Sequence, residues 1–285
     1  MNEHNAGLSL DKLLHELNYP QPVEMAVRRK LADRNMRETA DSAYVGEGLD
    51  FALCRRMPLT RLAAVTLLLL QKYKAYRGIR ASDEIIFDTF RDVSLRAELY
   101  YNATGESGIR KDDVIWFRHI MNVNIFKIGV MQFQPFEMLY LDEEMLGEPY
   151  MKFDPVQKAS LPVGTSVINC HVQQGADLTP QKVRRALHDA EAFFKNHFPD
   201  VRFRAFLCYS WLLYPPMLCS LSERSNIRQF SELFDVVGFC GDNEQAMESL
   251  FPNGKRKALP TPTSLQAAAL AHPEQFGFAC GIRKL

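Results

Sequence analysis

One stretch of the chain, residues 166–213, constrains the fold more than any other, because its pattern is that of a strand, a turn, a helix and a second strand. Ser166–Val172 is short and rich in β-branched residues, which is typical of a buried strand. Thr179 followed by Pro180 is typical of a helix start. One apolar stripe then runs along the predicted helix, formed by Val183, Leu187, Ala190 and Phe194. Phe203–Trp211 completes the unit as a second strand.

A strand–helix–strand unit of this length predicts two parallel strands joined by a crossover helix. The N-terminus of that helix then lies beside the end of the first strand. Unpaired backbone amides and the helix dipole both favour negative charge there. We therefore expect an anion-binding turn between residues 172 and 180.

Composition excludes several classes of function. The chain has 34 lysine and arginine residues and 34 aspartate and glutamate residues. It therefore lacks the basic excess that a nucleic-acid-binding protein needs. The six cysteines include no C-x-x-C pair and the histidines are scattered singly, which favours buried reduced thiols and no metal site. The N-terminus has no signal-peptide pattern, and the longest apolar run, Leu62–Leu70, is too short to span a bilayer. We expect a cytoplasmic protein with no membrane segment.

The two halves of the chain differ in pattern. Residues 1–121 carry helical apolar spacing and predict a helical N-terminal domain, with segments at 8–17, 22–36, 59–76, 83–101 and 112–119. Residues 122–285 alternate strands and helices and predict an α/β (α+β) mixed sheet. There we place a strand up to Phe133, a turn around Gln134-Pro135, and a strand over Phe136–Leu141. We also predict a small hairpin within 142–164, one helix over Pro215–Leu233 and a closing strand over Phe276–Ile282.

Several phrases of the sequence resemble a family of bacterial acyltransferases. They are residues 126–133 (FKIGVMQF), 206–213 (FLCYSWLL), 225–230 (SNIRQF) and 263–266 (TSLQ), with 87–92 (FDTFRD) upstream. The resemblance runs from about residue 59 to the end of the chain. Members of the family join a helical N-terminal domain to a C-terminal domain like that of the GNAT N-acyltransferases. The resemblance implies an acyl-CoA or acetyl-CoA co-substrate, no metal, and a small-molecule amine or peptide as acceptor.

In GNAT enzymes the turn after the central strand binds the pyrophosphate of coenzyme A through backbone amides. The corresponding segment here is Val172, Gln173, Gln174, Gly175, Ala176, Asp177 and Leu178. One glycine of the family pattern is present, the second small position is not clearly matched, and Asp177 adds a negative charge. A plain strand-to-helix turn, with Asp177 assisting the helix cap, is the alternative for this segment.

Acyl transfer to an amine requires a group that removes a proton and benefits from an acid that protonates the leaving thiolate. His171 is the candidate base, and strand alternation places Asn169, His171 and Gln173 on one face. Tyr209 is the candidate acid, and Ser210 and Asn226 are candidates for orienting the substrate. Each has a structural alternative: a core or rim histidine, a core tyrosine, and capping or turn residues.

Two other functions remain open from the sequence. A cysteine hydrolase or transferase would use Cys170 or Cys208 as nucleophile and His171 as base. A GNAT-like domain that has lost catalysis would serve as a ligand-binding or interaction module. The basic segment 255–257 (KRK) would then be either a contact for a coenzyme phosphate or a solvated loop.

Overall fold

The structure is a computed structural model that describes residues 8–251 and 261–285. The chain divides into two compact units, one ending at Lys127 and the other beginning at Ile128. The boundary that we place after residue 121 from the sequence coincides with the end of the last helix of the first unit. The basic segment 255–257 lies outside the described residues.

The first unit is helical in its described part. Its helices are α1 (Leu10–Leu17), α2 (Gln21–Leu31), α3 (Met36–Asp41), α4 (Pro58–Gly78), α5 (Asp83–Thr104) and α6 (Lys111–Met121). A two-stranded ribbon, β1 (Gly46–Glu47) and β2 (Asp50–Phe51), and a 3-10 turn (Ala52–Arg55) precede α4. The helix predicted over 22–36 is wrong beyond Leu31, where polar turn residues such as Asp33 and Asn35 interrupt it before α3 begins.

A buried ion cluster joins α5 to α6 in this unit. Arg96 contacts Asp92 at 3.3 Å and Asp113 at 2.9 Å, and Trp116 Nε1 donates to Asp92 at 2.7 Å. Asp92 is 1% exposed, and these partners satisfy its buried carboxylate oxygens. The cluster therefore fixes how the two helices pack.

The second unit is built on a mixed sheet, as predicted. The strands are β3 (Phe126–Ile128), β4 (Met131–Glu137), β5 (Ser166–His171), β6 (Ala205–Ser210), β7 (Asp235–Cys240) and β8 (Phe278–Lys284). Their order in the described sheet is β3-β4-β5-β6-β8-β7, and β3 runs across the boundary between the units. β5 and β6 are parallel, whereas β4–β5, β6–β8 and β7–β8 are antiparallel. The predicted crossover unit is confirmed.

The helices of this unit are α7 (Glu143–Leu146), α8 (Pro155–Ser160), α9 (Pro180–His197), α10 (Pro215–Cys219), α11 (Asn226–Ser231), α12 (Glu244–Leu250) and α13 (Ser264–Ala271). α9 is the crossover helix, and its predicted apolar stripe is buried. Thr263 and Gln266 form a capping box at the start of α13.

Three local predictions are wrong. The chain turns at Gly129, whose φ is 57°, and β4 then runs straight through Gln134-Pro135. Proline is tolerated there because β3 is only three residues long, so the outer side of β4 needs few ladder hydrogen bonds. The predicted hairpin within 142–164 is replaced by α7 and α8, each capped by an aspartate. The helix predicted over 215–233 is interrupted between Cys219 and Asn226.

The sheet has two differently covered faces. One face carries Val167, Leu207, Cys280 and Ile282, and the segment between β4 and β5 packs on it through Met138, Tyr140, Met151 and Leu161. The crossover helix α9 follows from β5 to β6 on the opposite face, where Phe133 packs against Phe206. Within the described ranges no helix is long and apolar enough to cross a bilayer.

Candidate functional site

The parallel strands β5 and β6 share only a short ladder. Their paired residues are Ile168 with Phe206 and Asn169 with Leu207. Beyond this point each strand continues along its outer neighbour, with His171 opposite Gln132 on β4 and Tyr209 opposite Cys280 on β8. The carboxyl ends of β5 and β6 therefore part from each other. Strand backbone that has lost its ladder partner can pair with the amides of a bound ligand.

His171 stands at this parting and contacts a buried amide. Its Nε2 lies 3.1 Å from Oε1 of Gln134, a β4 residue that is 3% exposed. With Oε1 of Gln134 as the acceptor, Nε2 is the donor of this contact. Gln134 thus orients the ring, as a catalytic base requires.

His171 belongs to a row of polar side chains on one sheet face. Gln132 and Gln134 alternate with apolar residues on β4 and are opposite His171 and Asn169 of β5. Asn169 is 9% exposed, and its Oδ1 is buried with no hydrogen-bond partner among the described residues. Our sequence-based site omits both glutamines because we place a turn at Gln134. The signal that could have identified them is the polar–apolar alternation over Met131–Gln134.

The turn after β5 presents backbone N–H groups to its surroundings. Ala176 N donates to Gln173 O at 3.1 Å, and Gly175 at the third position of this β-turn has φ 77°, as in a type II turn. Among the hydrogen bonds of the described residues, none uses the backbone N–H of Gly175, Asp177, Leu178 or Gln181. These groups precede or open α9, whose dipole favours an anion at this end.

Asp177 is tied to the start of α9. Its carboxylate accepts from Thr179 N at 2.9 Å and from the Thr179 hydroxyl, and it contacts Lys182 Nζ at 2.6 Å. These contacts, that with Lys182 first, lower the pKa of Asp177. Thr179 makes no side-chain cap of the helix, and Asp177 instead closes a turn onto Thr179 immediately before α9. The negative charge that departs from the GNAT pattern is therefore compensated by a lysine one helical turn away.

Tyr209 lies on the same sheet face as His171. Asn169 and Leu207 are partners across the ladder and point to the same face. His171 lies two residues after Asn169 and Tyr209 lies two residues after Leu207, so both point to that face as well. The Tyr209 hydroxyl donates to Leu139 O at 2.9 Å and accepts from Leu141 N at 3.3 Å. Burial raises the pKa of Tyr209, so the phenol keeps its proton. It can serve as an acid only if its hydroxyl turns away from Leu139.

The other candidate residues lie apart from His171. Ser210 alternates onto the opposite sheet face, where its Oγ accepts from Leu212 N at 3.2 Å and caps a 3-10 turn (Trp211–Leu213). Asn226 is exposed at the start of α11, a helix that packs against α9 and this 3-10 turn. The structure therefore brings His171, Tyr209 and the turn 172–178 to the carboxyl end of the parallel pair. Ser210 ends β6 at the same edge but points to the opposite face, and Asn226 lies on α11.

Cysteine chemistry receives no support from the geometry. Cys170 and Cys208 are buried, and burial raises the pKa of both thiols. Neither forms the thiolate that a nucleophile needs at neutral pH. Strand alternation also points Cys170 away from the face that carries His171. In the part of the chain that the structure describes, no group of three His, Cys, Asp or Glu residues could hold a metal ion.

A cavity of about 560 Å³ lies at the other end of the same strands. Its lining includes Phe136, Met138, Val163, Ser166, Val201 and Phe203. Ser166 begins β5, whereas His171 ends it, so the strand length separates this cavity from the polar row. It is not part of the candidate site.

Comparison with solved structures identifies the class of fold. An acyltransferase in complex with decanoyl-CoA and teicoplanin matches with a TM-score of 0.74 and 19% identity, over 97% of this chain and 87% of its own. A complex with CoA and 10C-teicoplanin matches equally well, with a TM-score of 0.74 and 19% identity over 98% and 88% of the two chains. An acyltransferase variant in complex with octanoyl-CoA also matches, with a TM-score of 0.74 and 18% identity over 97% and 87%. At these identities the similarity establishes a shared acyltransferase fold.

The sequence itself identifies the family. The profile of the GNAT-like C-terminal domain matches residues 125–282, which is more than half of the chain. The protein belongs to the GNAT-like C-terminal domain family, as the resemblance predicts. No curated protein sequence matches the chain.

Proposed function

We propose that the protein is an acyl-CoA-dependent N-acyltransferase. One observation carries this proposal. The strands of the parallel pair part at His171, directly before a turn and a helix start with backbone N–H groups that donate no hydrogen bond within the described residues. A CoA thioester has a dianionic pyrophosphate at one end and an amide-containing arm that leads to the thioester. The turn suits the pyrophosphate and the parted strands suit the arm. The similar acyltransferases are in complex with CoA or acyl-CoA, which supports a CoA thioester as the ligand.

The reaction would transfer the acyl group directly. The amine nitrogen attacks the thioester carbonyl, the C–N bond forms, the C–S bond breaks, and an amide and CoA result. The attacking nitrogen loses one proton to His171, and the departing thiolate gains one proton. His171 with its Gln134 contact is the proposed base, and Tyr209, which stays protonated, is the proposed acid.

The turn 172–178 would hold the cofactor mainly through its backbone. The N–H groups of Gly175, Asp177 and Leu178 are the proposed pyrophosphate donors, assisted by Gln181 N at the helix start. Ser210 and Asn226 have no contact in the structure that supports a role in orienting substrate, so that role rests on the family resemblance alone.

The finer assignments belong to the same proposal. We propose a small-molecule or peptide amine as acceptor. The complexes of similar acyltransferases with teicoplanin and 10C-teicoplanin support an acceptor of that kind. We propose a bacterial, cytoplasmic protein, because the resembling family is bacterial and CoA thioesters are cytoplasmic metabolites.

Ligand binding followed by turnover tests the proposal. Purified protein is titrated with CoA, acetyl-CoA, octanoyl-CoA and decanoyl-CoA while its melting temperature is measured. Saturation at about 100 times Kd stabilises by ~2.7 kcal/mol, which raises the Tm by several degrees. Release of free CoA thiol is then followed with a set of primary amines.

The His171→Ala variant separates chemistry from binding. It should keep the thermal shift and lose ~10²-fold or more in kcat, because a positioned base contributes that much. His188→Ala is the matched control, since His188 is exposed on α9. No thermal shift with any CoA species would contradict the proposal. A shift without CoA release by the unaltered protein would favour the ligand-binding module, the alternative that the unusual Asp177 suggests.

A further inference from the structure

The carboxamide of Asn169 is the most unusual polar group near the parting strands. The side chain is nine-tenths buried, and its Oδ1 accepts no hydrogen bond within the described residues. Buried carbonyl oxygens in native proteins are nearly always paired, and an unpaired one destabilises the fold. Such an atom in a candidate site indicates that a bound ligand completes it.

The neighbours of Asn169 explain why the protein itself does not satisfy this oxygen. On β6 its ladder partner is Leu207, which is apolar and fully buried. On β4 its partner is Gln134, whose amide turns its oxygen towards His171 and donates no hydrogen bond to Oδ1 of Asn169. Asn169 is also the last residue of β5 that pairs with β6, so it stands where the strands begin to part.

The spacing to His171 defines what the ligand must be. Residues two apart on a strand lie ~6.7 Å apart and point to the same face. One nitrogen atom that donates hydrogen bonds of about 2.9 Å to each of two acceptors spans ~4.7 Å between them, because its two N–H bonds diverge at the tetrahedral angle. Side chains that lean towards each other by ~2 Å from the backbone spacing bring both acceptors within reach of one attacking atom.

We propose that Oδ1 of Asn169 accepts a hydrogen bond from the attacking nitrogen while His171 accepts its second hydrogen. This inference rests on the proposed N-acyltransferase function and specifies its acceptor. Two acceptors that face one nucleophile require two hydrogens on it. A neutral primary amine has two, whereas an alcohol or a secondary amine has one. The site thus selects primary amines.

The test uses three small acceptors that share a benzyl group: benzylamine, N-methylbenzylamine and benzyl alcohol. Release of CoA thiol from decanoyl-CoA is measured for the unaltered protein and for Asn169→Leu, which is close in volume but has no oxygen. We expect transfer to benzylamine alone in the unaltered protein. In Asn169→Leu the KM for benzylamine should rise ~10-fold, the equivalent of one hydrogen bond, with the Kd for decanoyl-CoA unchanged.

Two further measurements keep the proposal falsifiable. Asn169→Leu should melt no lower than the unaltered protein, because it removes an unpaired buried oxygen; a lower Tm would mean that the oxygen has a partner in the fold and would overturn the proposal. Asn169→Asp keeps an acceptor oxygen and should keep the KM for benzylamine within about threefold. Equal KM values for the unaltered protein and Asn169→Leu would also overturn it.

The outcomes distinguish this inference from the function on which it rests. Decanoyl-CoA binding without transfer to benzylamine or to other primary amines would overturn the role of Asn169 and leave cofactor binding intact. A weaker Kd for decanoyl-CoA in Asn169→Leu, with no change in the benzylamine KM, would assign the oxygen to the cofactor instead. No decanoyl-CoA binding at all would contradict both proposals.

Discussion

Replacing Tyr209 with phenylalanine separates a catalytic role of this residue from a structural one. The hydroxyl donates to Leu139 O at 2.9 Å and accepts from Leu141 N at 3.3 Å, so the substitution deletes two contacts with the chain that follows β4. A typical internal hydrogen bond contributes ~1 kcal/mol, and the longer contact is the weaker one. We expect Tyr209→Phe to lower the free energy of unfolding by about 1–2 kcal/mol.

The assay combines stability and turnover. A loss of 1–2 kcal/mol should lower the Tm by roughly 2–8 °C for a domain of this size. If Tyr209 protonates the leaving thiolate, kcat should also fall ~10²-fold at a temperature where the variant is fully folded. The base is unaltered, so the pH at which activity is lost on the acid side should not move.

Tyr140→Phe is the matched control for this experiment. The Tyr140 hydroxyl donates to Leu161 O at 2.8 Å in the same apolar cluster, but it lies outside the parting strands. It should lose comparable stability and keep its kcat. If Tyr209→Phe also keeps its kcat, the residue only anchors the segment after β4 and is not the acid. An unchanged Tm would refute the hydrogen-bond argument itself.

Three further substitutions test the site and the fold. Asp177→Asn keeps an oxygen that can accept from Thr179 N and removes a negative charge beside the proposed pyrophosphate turn. CoA should therefore bind more tightly, with a smaller gain at high salt, and weaker binding in an isothermal titration would contradict this. Gln134→Glu places a carboxylate against His171, which should raise the pKa of the imidazolium in this variant. The acid limb of the pH–rate profile of kcat/KM should therefore move to higher pH, and an unmoved acid limb would argue against His171 as the base. Asp92→Ala removes the buried acceptor of the Trp116 N–H and one of the two carboxylates that contact Arg96, so it should destabilise by about 3 kcal/mol in urea unfolding. The exposed Asp189→Ala should change stability by less than ~0.5 kcal/mol.

The pattern of single elements was predictable where local signals agreed. The apolar stripe from Val183 to Phe194, the proline at the start of α9 and the β-branched run before it all indicate one crossover unit, and the structure confirms it. Prediction failed where one residue type occurs in two kinds of local structure. Pro135 looks like a turn residue, but β4 tolerates it because little of its outer side is paired.

The candidate site was predictable only in part, for the same reason. His171 and the turn 172–178 follow directly from the strand-to-helix junction. Gln134 is 37 positions away from His171 in the chain, and only the antiparallel register of β4 and β5 brings it to the imidazole. Likewise, the sequence does not show that Oδ1 of Asn169 lacks a hydrogen-bond partner, because this depends on the neighbouring residues of β4 and β6.

The sequence by itself determines the fold class, the crossover unit and the family, because periodicity, capping residues and family phrases are local properties of the chain. Tertiary structure alone decides where β5 and β6 part, which side chains surround His171, and how Lys182 compensates the charge of Asp177. Those features depend on strand register and side-chain direction, and a shift of one residue would move His171 to the other face of the sheet. The chemistry of the site therefore depends on the register of the sheet as much as on the residues themselves.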